Sequence, residues 1–121
     1  MERVDFEEGG GDAFAVLEVG EAVEGGRVGV GNFEAQGHRT FRNLARVLAA
    51  GGSSLADVVK VTVFVTDISQ LPTIVALRRR YFTAPYPTDS LVEVTALSRP
   101  ELQIEIEAIA VRNTDRPGLA T

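Results

Sequence analysis

The 121-residue sequence contains no cysteine. That excludes disulfides, thiolate nucleophiles, iron–sulfur clusters and cysteine-based zinc sites, and it fits a cytoplasmic protein. A single histidine, His38, argues against a Ser-His triad or a multi-His metal centre within one chain. No apolar run approaches the ~20 residues of a membrane helix; the longest β-like run, Val61 to Val65, is broken by Thr62. The opening Met1-Glu2-Arg3-Val4-Asp5 has no apolar segment, so neither a secretory signal nor membrane association is expected. Basic residues are in deficit: 12 against 17 acidic ones give a net charge of −5, which argues against nucleic-acid binding because phosphate neutralisation needs a basic footprint. Arg39, Arg42 and Arg46 at helical spacing, and the run Arg78-Arg79-Arg80, read as solvated helix faces whose aliphatic stems cover the core edge; an anion or RNA patch is the alternative.

What is present is enough apolar material, 45% of residues, for one domain, expected over residues 1–112, with a polar, flexible tail over 113–121. Gly9-Gly10-Gly11-Asp12 marks a turn between two short strands, the second spanning Ala13 to Val19, and Gly25-Gly26 separates these from a third at Arg27-Val28-Gly29-Val30. Asn32 is a good N-cap, Glu34 sits where the helix dipole favours a negative charge, and Phe41, Leu44, Ala45 and Leu48 form one apolar face. A helix over Phe33 to Ala50 follows, ended by Gly51-Gly52. The β-branched segment Val58 to Val65 reads as a buried strand. Asp67-Ile68-Ser69-Gln70 has the form of a capping box, so a second helix is expected from near Ile68 to Phe82, stopped by Pro85 and Pro87. Two strands close the chain, Leu91 to Leu97 and Leu102 to Arg112. In the last one Leu102, Ile104, Ile106, Ala108 and Ala110 share one face and Gln103, Glu105 and Glu107 the other.

The order β-β-β-α-β-α-β-β predicts one mixed sheet, parallel across helical crossovers and antiparallel where turns join strands, with both helices on one face. The other face would then be uncovered. Val61, Val63, Val94, Ile109 and Val111 are not expected all to hide beneath the helices, and a closed homo-oligomer is the expected remedy.

The run Ser54-Leu55-Ala56-Asp57-Val58-Val59-Lys60-Val61-Thr62-Val63-Phe64-Val65-Thr66-Asp67, with Glu34-Ala35-Gln36, Asn43-Leu44, Val47-Leu48, Tyr81-Phe82 and the ending Ile104-Glu105-Ile106-Glu107-Ala108-Ile109-Ala110-Val111, resembles the RidA/YjgF family of imine and enamine deaminases over roughly Asn32 to Arg112. The resemblance implies a chorismate-mutase-like α+β fold and a cytoplasmic homotrimer with sheets packed into a central barrel. It further implies small-molecule clefts between neighbouring subunits and no cofactor or metal.

It also implies a site, which this chain matches poorly. Where the family carries a Pro-Ala-Arg-Ser-like motif whose arginine grips a carboxylate, this chain reads Pro87-Thr88-Asp89-Ser90. Where a Gly-Pro-Tyr-Ser segment would supply a tyrosine, it has Glu2-Arg3-Val4-Asp5, and the Ser-Gly-Gln element stands as Val16-Leu17-Glu18. The glutamate that positions hydrolytic water is retained as Glu105, which has an alternative role as a hydrogen-bonding residue in the trimer interior. Catalytic candidates are therefore Glu105 and Asp89, with Ser90, Glu18 and Tyr81 as substrate contacts. If Asp89 and Glu105 share a cleft, they would form a proton-sharing carboxyl pair suited to neutral or cationic imines; the alternative is that Asp89 caps a turn with Ser90. Arg78, Arg79, Arg80 and Arg99 are candidates to replace the missing cation. A non-catalytic ligand-binding or chaperone-like trimer is the main competing expectation. Ribonuclease activity is disfavoured by the net charge and by the lack of a His or Lys pair. His38, off the apolar stripe, is expected at the surface, and Tyr81 and Phe82 are expected in the core and cleft wall.

Overall fold

A computed structural model of the chain describes residues 2–9, 12–20 and 32–111. Strands β1 (Glu2–Gly9) and β2 (Asp12–Gly20) form an antiparallel hairpin, with Gly9 paired to Asp12 across the turn. The third strand expected at Arg27 to Val30, the tail beyond Arg112 and Arg112 itself lie outside the described residues.

Helix α1 (Phe33–Ala50) has the predicted boundaries. The Asn32 side chain accepts a hydrogen bond from the Ala35 N–H at 3.1 Å, satisfying one of the orphan donors of the first turn. At the other end Gly52 adopts φ 82°, a conformation glycine reaches without a Cβ penalty. Phe41, Leu44 and Leu48 on the buried face are at most 1% exposed.

Strand β3 (Val58–Val65) follows a 3-10 turn at Leu55–Asp57. The second helical segment divides: a 3-10 turn at Ile68–Gln70, then helix α2 (Leu71–Tyr81). Pro72 stands in the first turn of α2, where its missing N–H costs nothing. Asp67 caps the 3-10 turn, accepting from both the backbone N–H and the hydroxyl of Ser69.

Strand β4 covers Thr88–Glu93 instead of Leu91 to Leu97. It is parallel to β3 over Lys60 to Val65 and ends where β3 ends; only the Val94 N–H reaches back, to the Val65 carbonyl at 2.8 Å. A strand cannot outrun the neighbour that supplies its ladder. Strand β5 (Ile104–Val111) starts two residues later than expected.

The sheet order is β1-β2-β5-β3-β4. The β3–α2–β4 unit is parallel, as a crossover requires. The last two strands, however, are not neighbours: β5 lies between β2 and β3, antiparallel to both. The ten residues between β4 and β5 therefore carry the chain past β3 instead of closing a hairpin.

Both helices cover one face. Ile104, Ile106, Ala108 and Ala110 of β5 and Val61, Val63 and Val65 of β3 are at most 1% exposed beneath Phe41, Leu44, Ile74 and Leu77. Of the five residues not expected all to hide beneath the helices, Val61 and Val63 do lie there, while Ile109 and Val111 take the open face. A bulge between Val58 and Lys60 resets the alternation, so that Val58, Val61, Val63 and Val65 all face the helices. The open face carries half-buried Ile109, Val111 and Phe64, and Val92 at 39% exposure.

Gln36 ties α1 to the segment entering β5. Its Nε2 donates to the Glu101 carbonyl at 2.8 Å and its Oε1 accepts from the Gln103 N–H at 2.9 Å, with the residue 1% exposed. Gln36→Leu is expected to cost about 1–3 kcal/mol, because two backbone groups lose their partner in a buried place; urea unfolding measures it. A second expectation concerns acid. The Ser69 hydroxyl and N–H hold the Asp67 carboxyl below its usual value of 3.8. A folded-state pKa lowered in this way contributes stability above pH 3.8 that is lost as the pH falls through the folded value. The urea midpoint of Asp67→Asn should therefore lie below wild type at pH 6, and the gap should narrow at pH 3.

Candidate functional site

Strand alternation sorts the candidate residues between the two faces of the sheet. Glu105 lies between buried Ile104 and Ile106, so it belongs to the open face, where its register partners are Phe64 on β3 and Gly20 on β2. Glu107, two residues on and ~7 Å along the strand, pairs with Thr62 on one side and Glu18 on the other. Thr62 in turn pairs with Ser90 on β4 and accepts from Lys60 Nζ at 3.0 Å. Glu18, Glu107, Thr62 and Ser90 thus occupy one row across four strands, with Glu105 in the adjacent row. Three of the five sequence candidates, Glu105, Ser90 and Glu18, are brought to this one region of the sheet.

Asp89 and Tyr81 are not. Asp89 pairs in parallel register with Val61, a residue of the helix-covered core, and Asp89 Oδ2 stands 3.3 Å from Arg78 Nε on α2. Asp89 and Glu105 therefore lie on opposite faces of the sheet within one subunit. The physical reason is the odd–even rule of strands: adjacent Ser90 takes the open face, so Asp89 must take the other.

Tyr81 stacks on Phe41 with ring centroids 4.9 Å apart and planes at 8°, and its hydroxyl lies 2.7 Å from His38 Nδ1. It joins the two helices on the side away from Glu105. His38 is accordingly half-buried and hydrogen-bonded, not a surface residue: it precedes Phe41 by three positions, close enough to the apolar stripe for the end of α2 to cover it.

The alternative arginines also separate. Arg80 lies over the Tyr81 ring at 5.7 Å, and Arg99 pairs with Glu101 at 3.5 Å. Arg78 and Arg79 line a cavity of about 310 Å³ together with Val75, Phe82, Tyr86, Pro87 and Asp89. The Arg78 side chain is 17% exposed. Neither its Nε nor its Nη2 makes a well-directed hydrogen bond among the described residues, although Nε is within ion-pair distance of Asp89. Sequence reasoning named Arg78 but could not place it. The signal available was its position in the last turn of α2, with Pro85 and Pro87 returning the chain beside that turn. Among the described residues no three His, Asp or Glu side chains gather as a metal site, and no helix is long and apolar enough to cross a membrane.

Residues 18–112 match the family model described as endoribonuclease L-PSP. The chain belongs to this family, known also as RidA/YjgF. It is 41% identical over 81 residues to the 2-iminobutanoate/2-iminopropanoate deaminase of Escherichia coli strain K12, a match covering 64% of this chain and 62% of that enzyme. The chain thus spans under two thirds of the length of such relatives. A YjgF-family protein of Mycobacterium tuberculosis superposes with a TM-score of 0.70 at 31% identity, covering 82% of each chain. RidA from an Antarctic Psychrobacter gives a TM-score of 0.65 at 27% identity, over 87% of this chain and 84% of that one. Strands β3, β4 and β5, with Glu105, fall wholly inside the family match.

The placement of Tyr81 between the helices has a measurable consequence. Tyr81→Phe keeps the ring stack and removes the bond to His38, so it should lower unfolding stability by about 1 kcal/mol in urea titrations.

Proposed function

We propose that this chain is a RidA-like hydrolase of small imines and enamines, working in clefts between the subunits of a cytoplasmic homotrimer, with Glu105 as the residue that positions and deprotonates water. The observation that carries the reading is the place of Glu105: an ionisable residue on the middle strand, facing the side that the helices leave open. The half-buried Ile109, Val111 and Phe64 and the exposed Val92 on that face favour its being covered by further copies, and Ser90 and Glu18, the candidate substrate contacts, stand in the adjacent row of the sheet. The reaction balances without a cofactor. On the protonated imine, water adds to the C=N carbon as one proton passes to the Glu105 carboxylate; the nitrogen of the resulting aminoalcohol takes that proton back, and ammonia leaves as the hydroxyl proton passes to Glu105, leaving the carbonyl.

The relatives named for 2-iminobutanoate and 2-iminopropanoate act on carboxylate-bearing imines. In this chain the position of the family's gripping arginine carries Asp89, whose carboxylate engages Arg78 instead. A substrate carboxylate loses a charge-assisted partner of about 1.5–3 kcal/mol there, so the substrate is shifted towards imines and enamines that do not depend on that grip. The family description also names ribonuclease activity. A net charge of −5, with Glu105 and Glu107 side by side on the open face, opposes phosphate binding and favours the imine reading.

The test is ammonia release from imines generated in situ by an amino-acid or amine oxidase. Hydrolysis of uncharged imines should exceed the spontaneous rate, 2-iminopropanoate should turn over weakly, and Glu105→Gln should lose about 10²- to 10⁴-fold in kcat. No acceleration of any imine, with metabolites raising Tm, would instead establish the non-catalytic binder.

A further inference from the structure

The net charge of −5 is unevenly spread. Helices α1 and α2 together carry six arginines against one acidic residue, Glu34, so the helix layer is the basic side of an acidic molecule and favours anions that the open face opposes. Within that layer a cavity of about 120 Å³ opens between the helices, lined by Glu34 and His38 of α1 and by Thr73, Ala76, Leu77 and Arg80 of α2. It shares no residue with the cavity beside Asp89. Arg80 is two residues on from Arg78, roughly 200° around the helix, and so faces a different flank. The volume is well below that of metabolite sites and suits an inorganic ion.

The cavity offers three donors and one acceptor. The Tyr81 hydroxyl lies 2.7 Å from His38 Nδ1; with that hydroxyl donating, Nε2 bears the proton and is the ring's remaining donor. The Arg80 guanidinium lies over the Tyr81 ring, 5.7 Å from its centroid, and no carboxylate among the described residues pairs with it. Thr73 adds a hydroxyl. Glu34 shares a face of α1 with His38 at i and i+4 and forms no ion pair with Arg80 or His38. A fully ionised oxyanion such as sulfate would meet Arg80, His38 and Thr73 favourably and Glu34 unfavourably. Hydrogen phosphate satisfies all four: at neutral pH it keeps a P–OH that donates to the Glu34 carboxylate, while its other oxygens accept. We infer that this groove is a binding site for inorganic phosphate, held by Arg80, His38 and Thr73 and selected by Glu34. The site goes beyond the hydrolase reading. It lies between the helices, across the sheet from Glu105, and its occupancy is measured by binding, so failure of one reading leaves the other standing.

His38 is the single histidine of the chain, so its ring resonances report this groove in NMR spectra. Titration of the wild-type protein with phosphate, at fixed pH and ionic strength, should shift them saturably. The Kd should lie at least about tenfold below that for sulfate, one charge-assisted contact being worth about that factor. Glycerol 3-phosphate should bind more weakly than phosphate, because a monoester with a second pKa of about 6 has mostly lost the proton that Glu34 accepts. Glu34→Gln should bring sulfate level with phosphate, and Arg80→Gln should weaken phosphate at least about tenfold. Both side chains are exposed; should either variant fail to give a cooperative melt, the comparison of the three ligands on wild type decides alone. No saturable shift at millimolar phosphate, sulfate or glycerol 3-phosphate binding as tightly as phosphate, or a preference over sulfate that survives Glu34→Gln would overturn the inference.

Discussion

Everything in this fold is organised by the alternation along β5. It is the middle strand, hydrogen-bonded on both sides, so its choice of face is imposed on β2 and β3 together. Ile104, Ile106, Ala108 and Ala110 turn under the helices while Glu105 and Glu107 turn away. A slip of one residue would drive two carboxylates beneath Phe41 and Leu44, where an unpaired charge costs several kcal/mol. That penalty is what pins the register. It also aligns Glu18, Thr62 and Ser90 in one row, although they come from three other strands and are far apart in sequence.

The helices pack on that sheet through the shared apolar core, and polar and aromatic contacts fix their positions. Gln36 closes α1 onto the segment leading into β5, and the Phe41–Tyr81–Phe82 aromatic group, extended by His38, locks α1 to α2. The close approach of the helices at Gly37, where an added Cβ would collide with Leu77, explains a glycine in the middle of α1 despite its cost in helix propensity, about 1 kcal/mol.

What could be read in advance follows from the range of the interaction that decides it. The limits of α1 were legible because Asn32 and Gly51-Gly52 are local signals, and the two faces of β5 because a period of two is visible in eight residues. The split of the second helix into a 3-10 turn and α2 is also local, but Asp67 bonding to Ser69 at i+2 competes with the capping-box pattern, which uses i+3. The position of β5 between β2 and β3, and the early start and end of β4, are decided by pairing between distant segments. The face taken by Asp89 was invisible for the same reason. Alternation says that Asp89 and Ser90 face opposite ways, but only the ladder with β3 says which way.

Asp89 and the arginine run are best understood as one feature. Asp89, on the helix side of the edge strand, stands 3.3 Å from Arg78 Nε. The last turn of α2 is where the helix dipole best tolerates cations, and the extended stretch through Pro85 and Pro87 brings β4 back beside it. Arg78 therefore serves the edge strand and the helix end together, while Arg80 lies over Tyr81 and Arg79 stays at the cavity rim. The open face is anionic through Glu105 and Glu107; the cavity across the sheet pairs both signs within one small volume. One sheet thus separates two chemically distinct environments, and the residue at position 89 belongs to the second of them.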